Sequence, residues 1–261
     1  MLTTLLLSAA AVQMPAPLPP AGGWVVDFAD NSCLVFRDYR GDKGKVTFGL
    51  RLIPNAPFAE AMLIAPEDDS AMAGALTVSL TPNGVDIPAS YQSGSTSDGR
   101  RLIRFDVTPA QAKVMSTARE VSFSRNGKSI VIVPQAMAKA MAAASTCQDD
   151  LLRSWAADPA VEAKISWRPS IVSPEKSITY DDYPVVAMRD GAEGDTVFRL
   201  SLDRTGRVTD CKIVASAGHE ALDTKACALM RQRGTLPAAR LTDGSATPTV
   251  IVGRFAWRLP S

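Results

Sequence analysis

Residues 196–215 read TVFRLSLDRTGRVTDCKIVA, and this stretch decides the fold of the C-terminal part of the chain. From 196 to 202 apolar residues alternate with polar ones, which is the period of two typical of a half-buried strand. The turn at 204–206 ends in Gly206, a residue that accepts a positive φ at little cost. The run 207–215 alternates in the same way. The stretch therefore predicts an antiparallel hairpin with a tight turn.

A helix and a last strand are predicted after this hairpin. Between 220 and 233 apolar residues recur at helical spacing, and the segment 249–259 again alternates. Asp243-Gly244 supplies a turn before that last strand. The predicted C-terminal domain, residues 178–261, is thus a small antiparallel sheet covered by helices.

Several motif residues in this region carry a family resemblance. They occur in a fixed order and are Tyr183, Pro184, Gly206, Ser216, Gly218, Leu222, Asp223 and Pro237. Each is a weak motif alone, but together with the helix–hairpin–helix–strand order they resemble the TonB C-terminal domain. Cys211 and Cys227 also resemble a cysteine pair found in a subgroup of such domains. The resemblance covers about a third of the chain.

The resemblance implies a binding function. Domains of this family bind the TonB box, a short peptide near the N-terminus of outer-membrane transporters, by adding it as a strand to a sheet edge. Carried over to this sequence, the edge is the last strand, 249–258. Its outward-facing side chains would flank the peptide; these are Val250, Val252, Arg254 and Arg258. The alternative is that they are ordinary surface residues of a strand that pairs only with its neighbour.

The region 24–155 is predicted to be a separate, mostly-β domain of unknown role. Eight short alternating segments are separated by turn residues, and Asn126-Gly127 is a two-residue hairpin signal. Thr108 followed by Pro109 predicts the start of a short helix. A longer helix is expected from Pro134 to Ala144. The fold class is therefore α+β: a sandwich-like β domain with a terminal helix, then the small TonB-like domain.

The four cysteines permit two disulfides in an exported chain. Three connectivities are open, and we favour Cys33–Cys147 with Cys211–Cys227. The first bridge would join the two ends of the β-rich domain, and the second would join the predicted hairpin to the helix. The alternative for Cys33 and Cys147 is two buried free thiols.

The first residues resemble a secretory signal. Residues 2–12 are apolar or small, too few to span a bilayer, and Ala9-Ala10-Ala11 offers a cleavage site. No Lys or Arg precedes Arg37, so the basic n-region is missing and the true start codon stays open. We expect a signal peptide at 1–13, a Pro-rich linker at 14–23 and an interdomain linker at 156–177.

Composition excludes several functions. The net charge is +1 and no basic stripe is visible, so we expect no nucleic-acid partner. One His and no CxxC pair argue against a metal site, and no phosphate loop or other cofactor motif occurs. The three residue types of a hydrolase triad occur close together, at Ser216, His219 and Asp223, but no oxyanion-hole motif accompanies them. We expect no catalytic residues and no cofactor.

These observations predict a non-enzymatic, exported protein of the bacterial periplasm. Its partner would be an outer-membrane transporter or another envelope protein, and a homodimer is left open. One alternative is an energy transducer with a misassigned start, although we expect no stable membrane span in the mature chain and only a short Pro-rich run. The other alternative is an enzyme or stress-response module acting through residues 24–155.

Overall fold

The computed structural model describes residues 15–66, 71–82, 84–171, 179–233 and 236–259. The predicted signal peptide at 1–13 lies outside this part of the chain. The described residues are mostly strand, with a large sheet before residue 133 and smaller sheets after residue 164, which confirms the predicted fold class.

The first large element is a single nine-stranded antiparallel sheet with the order β1-β2-β3-β4-β7-β6-β5-β8-β9. Its strands are β1 (Val25–Ala29), β2 (Ser32–Gly41), β3 (Gly44–Leu52), β4 (Ala59–Ala65), β5 (Ala73–Thr81), β6 (Val85–Ser95), β7 (Arg101–Val107), β8 (Glu120–Arg125) and β9 (Lys128–Ile132). Eight correspond to the predicted segments. The ninth, β6, was not predicted.

This sheet curls until its two ends meet, and we call it the barrel. Phe48 of β3 and Phe123 of β8 are five strands apart in the sheet order, yet their ring centroids lie 5.0 Å apart. The seam is filled by the chain just before β1, because Leu18 pairs with Ile132 of β9 and Pro20 pairs with Tyr39 of β2. The expected Pro-rich linker therefore forms part of the barrel wall.

Two helices close one end of the barrel. They are α1 (Pro109–Thr117) and α2 (Met137–Ser154). Thr108 caps α1 in a capping box with Gln111, as the Thr-Pro pair predicted. Helix α2 runs ten residues further than expected and packs against β2, where Cys147 meets Cys33.

The segment after α2 is also ordered into elements. It contains α3 (Pro159–Glu162), capped by Asp158, and β10 (Ile165–Trp167). β10 pairs with β13 (Ala239–Leu241), which pairs in turn with β14 (Ala246–Thr247). The chain between the two main sheets is thus tied to the C-terminal region.

The C-terminal region contains a second sheet with the order β12-β11-β15. Its members are β11 (Gly194–Leu202), β12 (Val208–Ala215) and β15 (Thr249–Trp257), and the helices nearby are α4 (Val185–Arg189), which follows a 3₁₀ turn at Tyr180–Asp182, and α5 (Glu220–Arg233). Helix α5 covers one face of this sheet, and Phe198, Leu200 and Ile251 fill the space between them. The predicted hairpin, helix and last strand are all confirmed.

The other face of the C-terminal sheet packs on the barrel. Val197, Val250 and Val252 belong to the same buried cluster as the barrel core. Arg199 lies over the Trp155 ring at 5.2 Å. The small sheet is therefore buried on both faces. Within the described residues, no helix combines the length and the apolar character that crossing a membrane requires.

Candidate functional site

The family-motif residues build the frame of the C-terminal region. The carboxylate of Asp223, at the start of α5, accepts hydrogen bonds from the hydroxyls of Thr196 (2.8 Å) and Ser216 (2.5 Å) and from the amide of Ala217 (2.9 Å). Thr196 in turn accepts a hydrogen bond from the indole N–H of Trp257. One buried carboxylate thus joins the helix, the loop before it and the central strand β11, and through Thr196 it is linked to β15.

Other motif residues act through packing and backbone geometry. Tyr183 packs edge-on against Trp257 and donates its hydroxyl to the carbonyl of Ala192, and Pro184 precedes the first turn of α4. Gly206 has φ +84°, and a Cβ there would collide with the carbonyl of Leu236, the neighbour of Pro237. Gly218 also has a positive φ, and Leu222 is fully buried. These residues hold the fold around the last strand.

The three residues with the side chains of a hydrolase triad do not form the hydrogen-bond relay of a triad. The imidazole of His219 lies 3.3 Å from the carboxylate of Asp190, and its other ring nitrogen accepts from the amide of Ala221. Ser216 gives its hydroxyl proton to Asp223 and accepts from the amide of Gly218. The Ser216 hydroxyl thus bonds the carboxylate directly, without the histidine that stands between the two in a catalytic triad. The arrangement stabilises the loop before α5.

An ion pair holds the start of the C-terminal region to helix α5. Both oxygens of Asp182 accept hydrogen bonds from the guanidinium of Arg233, at 2.6 and 2.8 Å. These hydrogen bonds, aided by the Thr179 amide and opposed by burial, lower the pKa of Asp182 to about 2. Lys225 lies 3.8 Å away on the same carboxylate.

The four cysteines form two pairs at disulfide distance, Cys33 with Cys147 and Cys211 with Cys227. The first joins β2 to α2, and the second joins β12 to α5. These are the favoured pairings. Within the described ranges, no three His, Cys, Asp or Glu side chains gather as metal ligands would.

The predicted edge residues of β15 differ from one another in their surroundings. Val250 and Val252 are each 3% exposed and face the barrel, not solvent. Arg254 is half-buried, forms an ion pair with Asp106 of β7 and lies over the Phe58 ring. Arg258 follows the strand and pairs with Asp195. The barrel therefore covers Val250, Val252 and part of Arg254, whereas Arg258 stays exposed.

The backbone edge of β15 has a different status from its faces. β15 pairs with β11 without a register break from Thr249 to Trp257, and no strand of the described residues pairs with its other side. The N–H of Val250 donates to Glu162 and its C=O accepts from Asn55, so both groups point away from β11. In an antiparallel ladder these directions alternate, so the N–H and C=O groups of Val252, Arg254 and Ala256 also point to the open side. Of these three residues, Ala256 is exposed.

A buried polar cluster, absent from the sequence-based predictions, ends this edge. The carboxylate of Glu162 accepts from Arg168 (2.5 Å), from Thr249 (3.0 Å), from Asn55 (3.0 Å) and from the amide of Val250 (3.3 Å). Its side chain is 5% exposed. The four donors come from the barrel, from the segment after α3 and from β15, so one side chain joins three parts of the chain. A lone Glu in an irregular segment gave no sequence signal for this role.

A groove lies beside the open edge, between β15 and the barrel. It has a volume of about 510 Å³, and its walls include Pro57, Phe58 and Met141 from the barrel side and Arg168 from the connecting segment. Ile251 and Val252 both line it, although their side chains lie on opposite faces of the sheet. A space that reaches both faces of one strand lies at the edge of that strand. The groove and the open backbone are therefore adjacent.

Comparison with known protein families gives a match for the C-terminal region. No curated protein and no solved structure matches the chain. Residues 179–259 match the family model described as Gram-negative bacterial TonB protein C-terminal, which confirms the resemblance of this region to the TonB C-terminal domain.

Proposed function

We propose that this protein is a non-enzymatic binding protein of the bacterial periplasm that takes up an extended peptide of an outer-membrane transporter as a strand beside β15. The observation that carries the proposal is the backbone edge of β15, which no strand of the described residues pairs with and which lies next to a groove and within the segment that matches the TonB C-terminal family. The two disulfide-distance cysteine pairs support an oxidising compartment.

The edge dictates how such a peptide would bind. Main-chain hydrogen bonds to Arg254 and Ala256 would supply affinity, because their N–H and C=O groups point to the open side. Toward Val250 the ladder stops, because Glu162 and Asn55 already bond its N–H and C=O. A peptide side chain directed at the barrel would enter the groove beside Phe58 and Met141. The added strand is therefore short, and the apolar groove lies along one side of it.

Two variants at Ala256, one of which introduces proline, test the proposal. In the full chain, Ala256→Pro removes an N–H that points away from β11, so it leaves the existing ladder intact while removing a donor for the added strand. Ala256→Val is the matched control, because it keeps that N–H and favours a strand. The ligand is a synthetic peptide copied from the N-terminal segment of an outer-membrane transporter encoded by the same genome.

The expected result is at least about tenfold weaker peptide binding by Ala256→Pro, with little change for Ala256→Val; tenfold corresponds to about one lost hydrogen bond of ~1.4 kcal/mol. Calorimetric titration measures both affinities, and circular dichroism checks the fold. Equal binding by the two variants, or no binding by the unaltered chain to any such peptide, would refute strand addition at this edge.

A further inference from the structure

A second cavity lies inside the barrel, away from β15. It has a volume of about 590 Å³ and opens at the end where the β2–β3 turn and the β8–β9 turn lie. Helix α1 connects β7 to β8 at the opposite end and, with α2, contributes buried side chains to the barrel core there. The barrel is thus closed at one end and open at the other.

The wall of this cavity is apolar. Its inward-facing side chains come from five strands and are Val46, Leu63, Leu76, Ile103, Phe105 and Phe123. At the inner end Phe123 contacts both Phe48 and Phe105, with ring centroids 5.0 and 6.1 Å apart. From Arg101 at the mouth to Phe105 at this floor, four residues of strand span roughly 13 Å. The cavity is therefore an apolar channel with an aromatic floor.

The mouth of this cavity is basic. Five of the described residues that line it carry positive charge and one, Asp42, carries negative charge; the basic residues are Arg40, Lys43, Arg101, Arg125 and Lys128. Arg40 and Lys43 are exposed on the β2–β3 hairpin, whereas Arg101 is 4% exposed and, like Arg125 and Lys128, already has a partner. Positive charge around an apolar opening attracts a ligand whose polar end is an anion.

We propose that the barrel binds a single-chain amphiphile with an anionic head, with its alkyl chain in the channel and its head beside the exposed Arg40 and Lys43 at the mouth. Barrels of about eight strands have an interior that is either filled by side chains or wide enough for one small ligand, and here part of it stays open. A pocket of this volume with apolar walls and a few polar groups at one end suits a small amphipathic molecule. A fatty acid and a lysophospholipid share this chemistry.

Three ten-carbon probes of different charge test the head and the tail separately. Decanoate, decanol and decyltrimethylammonium, each below its micelle concentration, are titrated into the full chain by calorimetry. Methyl NMR spectra then locate the site through Leu63, Leu76 and Ile103. The cationic probe is needed because Glu67, Asp68 and Asp69 follow Pro66 in the sequence and lie outside the described residues. Lysophosphatidic acid, run beside decanoate, distinguishes a phosphate head from a carboxylate.

Two sets of variants separate charge from shape. Arg40→Glu combined with Lys43→Glu reverses charge at exposed positions of the mouth, and Lys113→Glu combined with Lys212→Glu is the matched control on exposed residues that do not line the cavity. Ala65→Leu adds bulk to the wall near the mouth. Thermal melts verify that every variant is folded.

We expect decanoate to bind most tightly and decyltrimethylammonium most weakly, with methyl shifts at the cavity residues. The mouth reversal should weaken decanoate at least about fivefold and leave decanol nearly unchanged. Ala65→Leu should weaken both. The proposal is overturned if no probe binds, if the cationic probe binds best, if the two double variants behave alike, or if the shifts fall on the groove beside β15 instead.

Discussion

Replacing Glu162 by Ala should destabilise the protein strongly. Its carboxylate, 5% exposed, satisfies four donors, and the shortest contact is the 2.5 Å hydrogen bond from Arg168. The substitution leaves the Arg168 charge, 27% exposed, and the amide of Val250 without this partner. Removing one member of a buried ion pair costs about 3–5 kcal/mol. Because Arg168 is partly solvated, we expect the lower half of this range, about 3–4 kcal/mol.

Urea unfolding followed by far-ultraviolet circular dichroism measures this loss. With a slope near 3 kcal/mol/M, the midpoint should fall by roughly 1 M. Glu162→Gln keeps one acceptor oxygen without the charge, so its urea midpoint should lie between those of the unaltered chain and Glu162→Ala. Asp150→Ala is the control, because its ion pair with Arg153 in α2 is 60% exposed on both sides and is worth less than about 1 kcal/mol.

The reasoning would be refuted if Glu162→Ala cost no more than Asp150→Ala. That result would mean that the cluster does not hold β15 against the barrel.

Three further predictions concern the C-terminal region. Replacing Cys211 and Cys227 by Ser should lower the free energy of unfolding by about 3 kcal/mol, measured by urea unfolding without reductant, since the closed loop spans 16 residues. Asp223→Asn places an amide N–H₂ among three donors and should cost about 2–3 kcal/mol in the same assay, whereas a loss below about 0.5 kcal/mol would contradict its joining role. The Asp182–Arg233 pair should stabilise the fold above pH 4 and lose this effect as pH falls toward 2, because the pKa of Asp182 is lowered from 3.8 to about 2 on folding. The stability difference between the unaltered chain and Arg233→Gln should therefore shrink between pH 4 and pH 2, and a difference that grows on acidification would contradict this assignment.

Local patterns predicted most elements, and one omission has a clear physical reason. β6 escaped prediction because it contains Pro88 and a polar run at its end, both of which weaken a strand signal. In the structure β7 pairs only with the part of β6 from Tyr91 onward, so Pro88 lies where the strand is paired on one side alone. A proline without an N–H is tolerated in such a half-edge.

The two-sided burial of β15 was open to prediction from its composition. The strand reads TVIVGRFAW, and apolar residues occur on both of its alternating faces instead of on one face only. Such a run is typical of a strand that is buried on both sides. The prediction that Val250 and Val252 face outward holds only for a C-terminal sheet without the barrel beside it. Which surface covers them depends on contacts distant in sequence, such as Asn55 with Val250.

The position of Glu162 and the channel in the barrel could not be derived from local pattern. Glu162 is the last residue of the short helix α3, and its role appears only when Asn55, Arg168 and Thr249 converge on it. The barrel closes through Leu18 and Pro20, residues that composition assigns to a linker. Both features arise from long-range pairing, which a periodicity of neighbouring residues does not report.

Amide hydrogen exchange of the full chain, read by NMR with and without a saturating transporter peptide, tests most directly whether β15 accepts another strand. The account predicts new protection at the amides of Arg254 and Ala256, which point to the open side, and unchanged protection at Phe255, which already bonds β11. Saturable peptide binding that leaves Arg254 and Ala256 exchanging as in the free protein would contradict it.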